Sequence, residues 1–260
     1  MSRLRTVQAI VRRDLSRALR QKSRLLGGLA RPFMWLVLVG TGYNAIAHVD
    51  GAASYQAFVF PGLVVMAALF GAMLTAISTV YDREFGILRL MLSSPAGVPA
   101  VLVGRALAAT AVGVLQGGVV LVFVPLVVPV TLVQMVAAAT ALILGAASAS
   151  VLGLLVAAPL GSVENFAGVI NLVLFPLLFL SGALYPTAGM PGWLRGVARL
   201  NPVTYAVDLT RKALGQPAEF GVSDALIRLG AATVLAFILT AFIFDPEQRF
   251  LFGNRPAKPS

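Results

Sequence analysis

Residues 132–158 read LVQMVAAATALILGAASASVLGLLVAA, a stretch without one Asp, Glu, Lys or Arg. A helix at the surface of a soluble core carries charge on its outer face, and this run has none on any face, so it suits a helix in lipid. About 20 apolar residues cross the hydrocarbon layer, and the run is longer than that. Small residues recur along it at every fourth position: Ala137, Ala141, Gly145, Ala149, Gly153 and Ala157. That spacing keeps them on one slowly drifting face, where another helix of the same subunit, or of a second copy, can approach backbone to backbone.

Comparable runs lie on both sides, near 32–48, 57–80, 101–124, 166–185 and 225–244. The pattern predicts a single all-α membrane domain over 1–260 with six transmembrane helices. Composition agrees: the chain is 58% hydrophobic and 12% charged, with too little polar surface for a water-facing body. The formal charge is +10, but nine of the twenty basic residues fall within 1–31 against one acid, Asp14. A basic leader directly before an apolar span is read by anionic headgroups and by the positive-inside rule, so no nucleic-acid partner is expected. With the N-terminus inside, fifteen basic residues are cytoplasmic and five are outside, which puts both termini in the cytoplasm. Ala45-Ile46-Ala47 has the form of a signal-peptide cleavage site, but the charged leader is too long for an ordinary n-region, and no cleavage is expected.

Within the leader, Leu4, Val7, Val11, Leu15 and Ala18 recur at helical spacing among arginines, which predicts an amphipathic interfacial helix with its stripe at the acyl boundary of the membrane lipids. The absence of cysteine removes disulfides, thiolate metal sites and cysteine nucleophiles. Every acid falls in a leader, a loop or a span end, His48 sits beside Asp50 at a span end, and no lysine follows a Gly-rich phosphate loop. The chain therefore offers no catalytic set, no metal set and no cofactor site of its own. A pathway through it would suit an amphipathic or apolar cargo, with Thr41, Asn44, Thr75, Ser78 and Asn171 as candidate lining residues, besides Gln116, Ser148 and Ser150. Such residues serve more often as helix-to-helix hydrogen bonders than as substrate contacts.

Two connections are more specific. Residues 81–95, YDREFGILRLMLSSP, place acids first and a base later, with an apolar edge of Phe85, Leu88 and Leu92 and a stop at Pro95. They read as a short amphipathic helix at the cytoplasmic face or as a tight linker beneath the bilayer. On the outer side, residues 183–201 are too apolar for a free loop and too broken by Pro186, Pro191 and Pro202 for a span. A re-entrant or interfacial helical hairpin over 186–212 fits, with Trp193 and Tyr205 near headgroup depth.

The R-E-x-G-x-L segment (Arg83, Glu84, Gly86, Leu88) with its Ser94-Pro95 ending, the F-L-S-G-x-x-x-P stretch (Phe179 to Pro186) and N-P-x-x-Y (Asn201, Pro202, Tyr205), in that order behind an amphipathic leader, resemble the membrane subunit of ABC-2 type transporters. The resemblance implies the permease of an ATP-driven exporter in the inner membrane of a prokaryote. It implies a homodimer working with a separate nucleotide-binding ABC ATPase that carries the ATP and magnesium. It makes 82–95 the coupling helix, with Arg83, Glu84, Phe85, Gly86, Leu88 and Pro95 transmitting the ATPase stroke. It makes Ser181, Gly182, Pro186, Trp193, Asn201, Pro202 and Tyr205 an outer gate. The cargo would be a drug, a lipid or a lipid-linked glycan. Export of polysaccharide, or a membrane enzyme of lipid metabolism, are the alternatives.

Overall fold

The computed structural model of the chain describes residues 3–40, 42, 55–92 and 97–244. The candidate pathway residues Thr41 and Asn44, together with His48, Pro95 and the segment from 245 onward, lie outside the described residues. The helices are α1 (Arg3–Arg20), α2 (Lys22–Met34, running on as a wider π-type coil over Trp35–Gly40), α3 (Tyr55–Thr75), α4 (Ile77–Glu84), α5 (Ile87–Leu92), α6 (Gly97–Val122), α7 (Leu132–Ala157), α8 (Val163–Phe179), α9 (Gly192–Leu200), α10 (Pro202–Ala213) and α11 (Val222–Phe244). Among the described residues there is no strand.

Among the described residues, four stretches are long and apolar enough to cross a membrane: Tyr55–Glu84, Gly97–Leu126, Leu132–Ala157 and Val222–Phe244. Of the other two expected spans, the first runs on into residues outside the described ones, and the fifth is shorter than expected. The first appears as the apolar helix Leu25–Leu38, and the fifth is Val163–Phe179 rather than 166–185. Its helix ends because the chain turns at Ser181 and Gly182, the latter at φ +77°, so the S-G pair is a turn after the helix and not its last turn.

α3 is the axis of the bundle, buried over nearly its whole length, with α6 and α7 packed against it. Close approach comes from glycines. A Cβ on Gly113 of α6 would meet the Ala68 carbonyl oxygen at 2.8 Å, and one on Gly153 of α7 would meet Met73 Cα at 2.8 Å. The small-residue stripe of α7 is therefore a seam within the subunit: Ala141, Gly145, Ala149, Gly153 and Ala157 are buried, and only Ala137 at its end is exposed. At its other end the seam meets α10, where a Cβ on Gly145 would lie 3.0 Å from that of Ala206.

α3 carries two local perturbations. Pro61 has no N–H, which frees the Ala57 carbonyl, and the Gln216 side chain donates to it at 2.8 Å. At Ala76 the helix breaks into α4; Thr75 donates to the Gly71 carbonyl and Ser78 to that of Thr75, the back-bonding that bends helices. α4 carries the span on to Glu84, four residues beyond the expected end at 80. The acids expected at the start of the short connecting helix belong to α4 instead, and the connecting helix itself is α5.

α1 is amphipathic as expected, but a different stripe faces the protein. Ile10, Asp14 and Ala18 are buried, Val7, Val11 and Leu15 are half-buried beside them, and Leu4 is exposed. Gly104 of α6 receives Ile10, with a notional Cβ 3.0 Å away. A polar residue stands in the middle of this buried stripe, and it leads to the first candidate site.

Candidate functional site

Asp14 of α1 meets Asp82 of α4 and Arg105 of α6 in a buried charge cluster at the end of the bundle where the basic leader lies. Arg105 Nη2 donates to Asp82 Oδ2 at 2.6 Å, Arg105 Nη1 donates to Thr79 Oγ1 at 3.1 Å and stands 3.6 Å from Asp14 Oδ2, and Arg105 Nη2 touches Met91 Sδ of α5 at 3.4 Å. From α1, Arg13 donates to the same Asp82 Oδ2 at 2.6 Å and to Asp14, while Arg17 reaches Asp82 Oδ1 at 3.4 Å. Asp82 and Arg105 are 0% and 2% exposed, so neither charge is shared with water. Burial works against the charge on Arg13, but Asp14 and Asp82 outweigh it and raise its pKa. The cluster binds leader, span and connecting helix by side chains that pay their desolvation only as a set. Sequence reasoning missed it, although Arg105 gave a signal: it is a lone charge inside the expected span 101–124.

The next two residues of the R-E-x-G-x-L segment face the α7–α8 turn. Arg83 donates to the carbonyls of Ala157, Ala158 and Leu160, closing the C-terminus of α7, and its guanidinium lies 5.0 Å from the centre of the Phe244 ring. Glu84 accepts from the Val163 N–H at 3.0 Å, at the positive end of α8, where Ser162 also accepts from Asn165. Gly86, at φ +74°, takes the left-handed turn that separates α4 from α5. Beyond it the side chains divide. Leu88 is 3% exposed and packs inward with Ile10, Val101, Leu102 and Phe244, whereas Phe85 and Leu90 are 61% and 75% exposed. The apolar pair presented outward is therefore Phe85 with Leu90, not Phe85 with Leu88. Beside them is a hollow of about 620 Å³, walled by Arg89, Leu92, Pro159 and Ile243 among others.

At the far end, the residues expected to form a gate are brought together unevenly. Asn201 caps α10, accepting from the Val203 N–H at 3.0 Å and donating to the Leu177 carbonyl at 2.7 Å. Ser181, Gly182, Asn201, Pro202 and Tyr205 are buried; Pro186 and Trp193 are exposed. Two buried charges of α10 hold the surrounding loops. Arg211 donates to the Gly182 carbonyl at 2.9 Å and lies over the Phe58 ring at 4.2 Å, and Asp208 accepts from the Glu219 and Phe220 N–H groups at 2.7 and 3.0 Å. Burial pushes the Asp208 carboxyl up in pKa, against those two donors and Arg211. Glu219 in turn accepts from Thr187 and from the Ala188 N–H.

The candidate pathway residues do not share one environment. Thr75 is buried and Asn171 exposed, each bonding a carbonyl one turn earlier in its own helix, while Ser78 borders a groove beside α1. Ser148 is buried against a void of about 10 Å³, room for one water.

The sequence pattern of the ABC-2 type transporter family matches residues 5–214. Among known proteins the chain is similar to ycf38 of Pyropia yezoensis, named as a transport permease, at 29% identity over 97% of this chain and 89% of that one. It is similar to Nodulation protein J of Rhizobium leguminosarum bv. trifolii at 31% identity, over 82% and 81% of the two chains. YbhR of Escherichia coli strain K12, named as a multidrug ABC transporter permease, is 28% identical over 74% of this chain and 51% of its own length. The buried charges tie helices and loops together rather than forming a reaction centre, and with these likenesses they identify the chain as a multi-pass membrane subunit for transport that belongs to the ABC-2 type transporter family.

Proposed function

We propose that the chain is the permease half of an ATP-driven exporter for a hydrophobic or amphipathic compound, spanning the inner membrane six times with both termini in the cytoplasm. The observation that carries the reading is the outward pair Phe85 and Leu90 on an end of the bundle that is otherwise stapled by Arg83, Glu84 and Arg105. An exposed apolar pair on a braced support suits docking of a separate nucleotide-binding subunit that holds ATP and magnesium. ATP binding there would favour one of two permease arrangements, which is the sense in which this subunit is driven. α9 and α10 serve as the outer re-entrant hairpin, and two copies form the pathway between them. The multidrug name of one relative and the Val-, Leu- and Ala-rich spans favour a drug or lipid cargo over polysaccharide.

Two measurements test this. A cysteine placed at Gly189 should react with an impermeant thiol reagent in intact cells, and one at Leu90 only after permeabilisation. The reverse pattern removes the orientation and the docking assignment together. Co-expression with its ATPase should give a complex whose hydrolysis responds to cargo, and F85S/L90S should lose that response.

A further inference from the structure

A groove of about 320 Å³ opens between α1, α4 and α8, lined by Arg17, Gln21, Ile77, Ser78, Tyr81 and Val163. We infer that it binds the phosphate headgroup of an anionic lipid from the membrane leaflet at the leader's end. The charge balance is the first reason. Three guanidiniums, of Arg13, Arg17 and Arg105, surround two carboxylates, of Asp14 and Asp82, which leaves one positive charge over. Arg17 is the member that carries it. Arg13 and Arg105 both hold Asp82 Oδ2 at 2.6 Å, while Arg17 stands 3.4 Å from Oδ1 and is the one of the three that lines the groove.

Position is the second reason. The Arg17 guanidinium lies 5.9 Å from the centre of the Tyr81 ring, so the cation is held at the wall of the groove, and the half-open Tyr81 supplies a phenol beside it. A guanidinium and a hydroxyl on one side of a cleft match phosphate oxygens. Ile77 and Val163 give the cleft apolar walls beside the guanidinium, which suit the glycerol and upper acyl carbons attached to a headgroup phosphate. A phosphate attached to a chain fits both parts, whereas free phosphate uses only the first.

The test needs neither ATPase nor cargo, so its outcome is separate from the export reading. The purified full chain in uncharged detergent is titrated with dioctanoyl phosphatidylglycerol, dioctanoyl phosphatidylcholine or inorganic phosphate while its thermal midpoint is followed. Phosphatidylglycerol should raise the midpoint saturably and well beyond the other two. R17Q should weaken the apparent affinity about fivefold, the effect of one cation at a membrane surface. S78F, which fills the groove and leaves all three guanidiniums, should weaken it as well, and R20Q, on the exposed side of α1, should not. Equal responses to phosphatidylglycerol and phosphatidylcholine, or an unchanged affinity in both R17Q and S78F, would overturn the inference. A phosphate effect as large as that of phosphatidylglycerol would also overturn it, in favour of a small-anion site.

Discussion

The two ends of the bundle both bury charge, and they satisfy it in opposite ways. At the leader's end, Asp14 and Asp82 are answered by the side chains of Arg13 and Arg17 of α1 and Arg105 of α6. At the far end, Asp208 and Arg211 are answered by backbone: the N–H groups of Glu219 and Phe220, and the carbonyl of Gly182. Side-chain partners let whole helices part and rejoin as units, because each group keeps its own backbone bonds when the pair opens. Backbone partners fix loop shape and leave no helix free to move without unfolding the loop. The first end ties helices to one another, and the second fixes its loops.

The strongest way to break this contrast is R105M. It strands two carboxylates beside Arg13 and Arg17 and should cost about 3–5 kcal/mol in detergent unfolding, with R105M/D82N recovering part of the loss. A double mutant no better than the single would mean that Arg105 matters for packing alone. Next is the α7 seam, which runs from one end to the other. G153L drives a side chain into the backbone at Met73 and should cost about 1–3 kcal/mol, more than G145L, which meets only the Ala206 methyl. V136L, on a residue 62% exposed, should change unfolding by less than about 0.5 kcal/mol. At the far end, D208N keeps one acceptor for the two N–H groups and should cost about 1 kcal/mol, far less than R105M. The smallest effect on folding is expected for F85S/L90S, within about 0.5 kcal/mol, since both side chains are exposed. Its effect should appear instead as lost co-purification of the ATPase, and a normal yield of complex would make α5 a linker.

Much of the fold was legible because lipid demands long apolar runs with few charges, and those at 101–124, 132–158 and 225–244 match helices closely. The seam on α7 was legible for the same reason, since spacing by four is a property of the helix itself. What sequence could not show is which side of α1 faces inward. The expected stripe through Leu4, Val7, Val11, Leu15 and Ala18 is only partly covered, and a stripe through Ile10, Asp14 and the shared Ala18 is buried more deeply because Asp14 finds Arg105, a partner 91 positions away. The inward turn of Leu88 was hidden likewise: in a six-residue helix, periodicity does not say which face is covered, and Gly86 resets the phase before it. Of the expected gate residues, Ser181, Gly182, Asn201, Pro202 and Tyr205 are buried while Pro186 and Trp193 are exposed, a division that sequence did not show because Arg211 and Asp208 hold this end through backbone atoms that carry no sequence signature.

Pro61 and Gln216 have a consequence for biogenesis. The Ala57 carbonyl leaves the ribosome 159 residues before the side chain that will bond it. Through most of synthesis, then, the central helix stands without its Gln216 bond, which forms only once the loop after α10 has been made. The central helix thus takes a bond from the loop that follows α10, and a chain truncated before residue 216 lacks that bond together with the core residues Ala225 and Leu229 of α11.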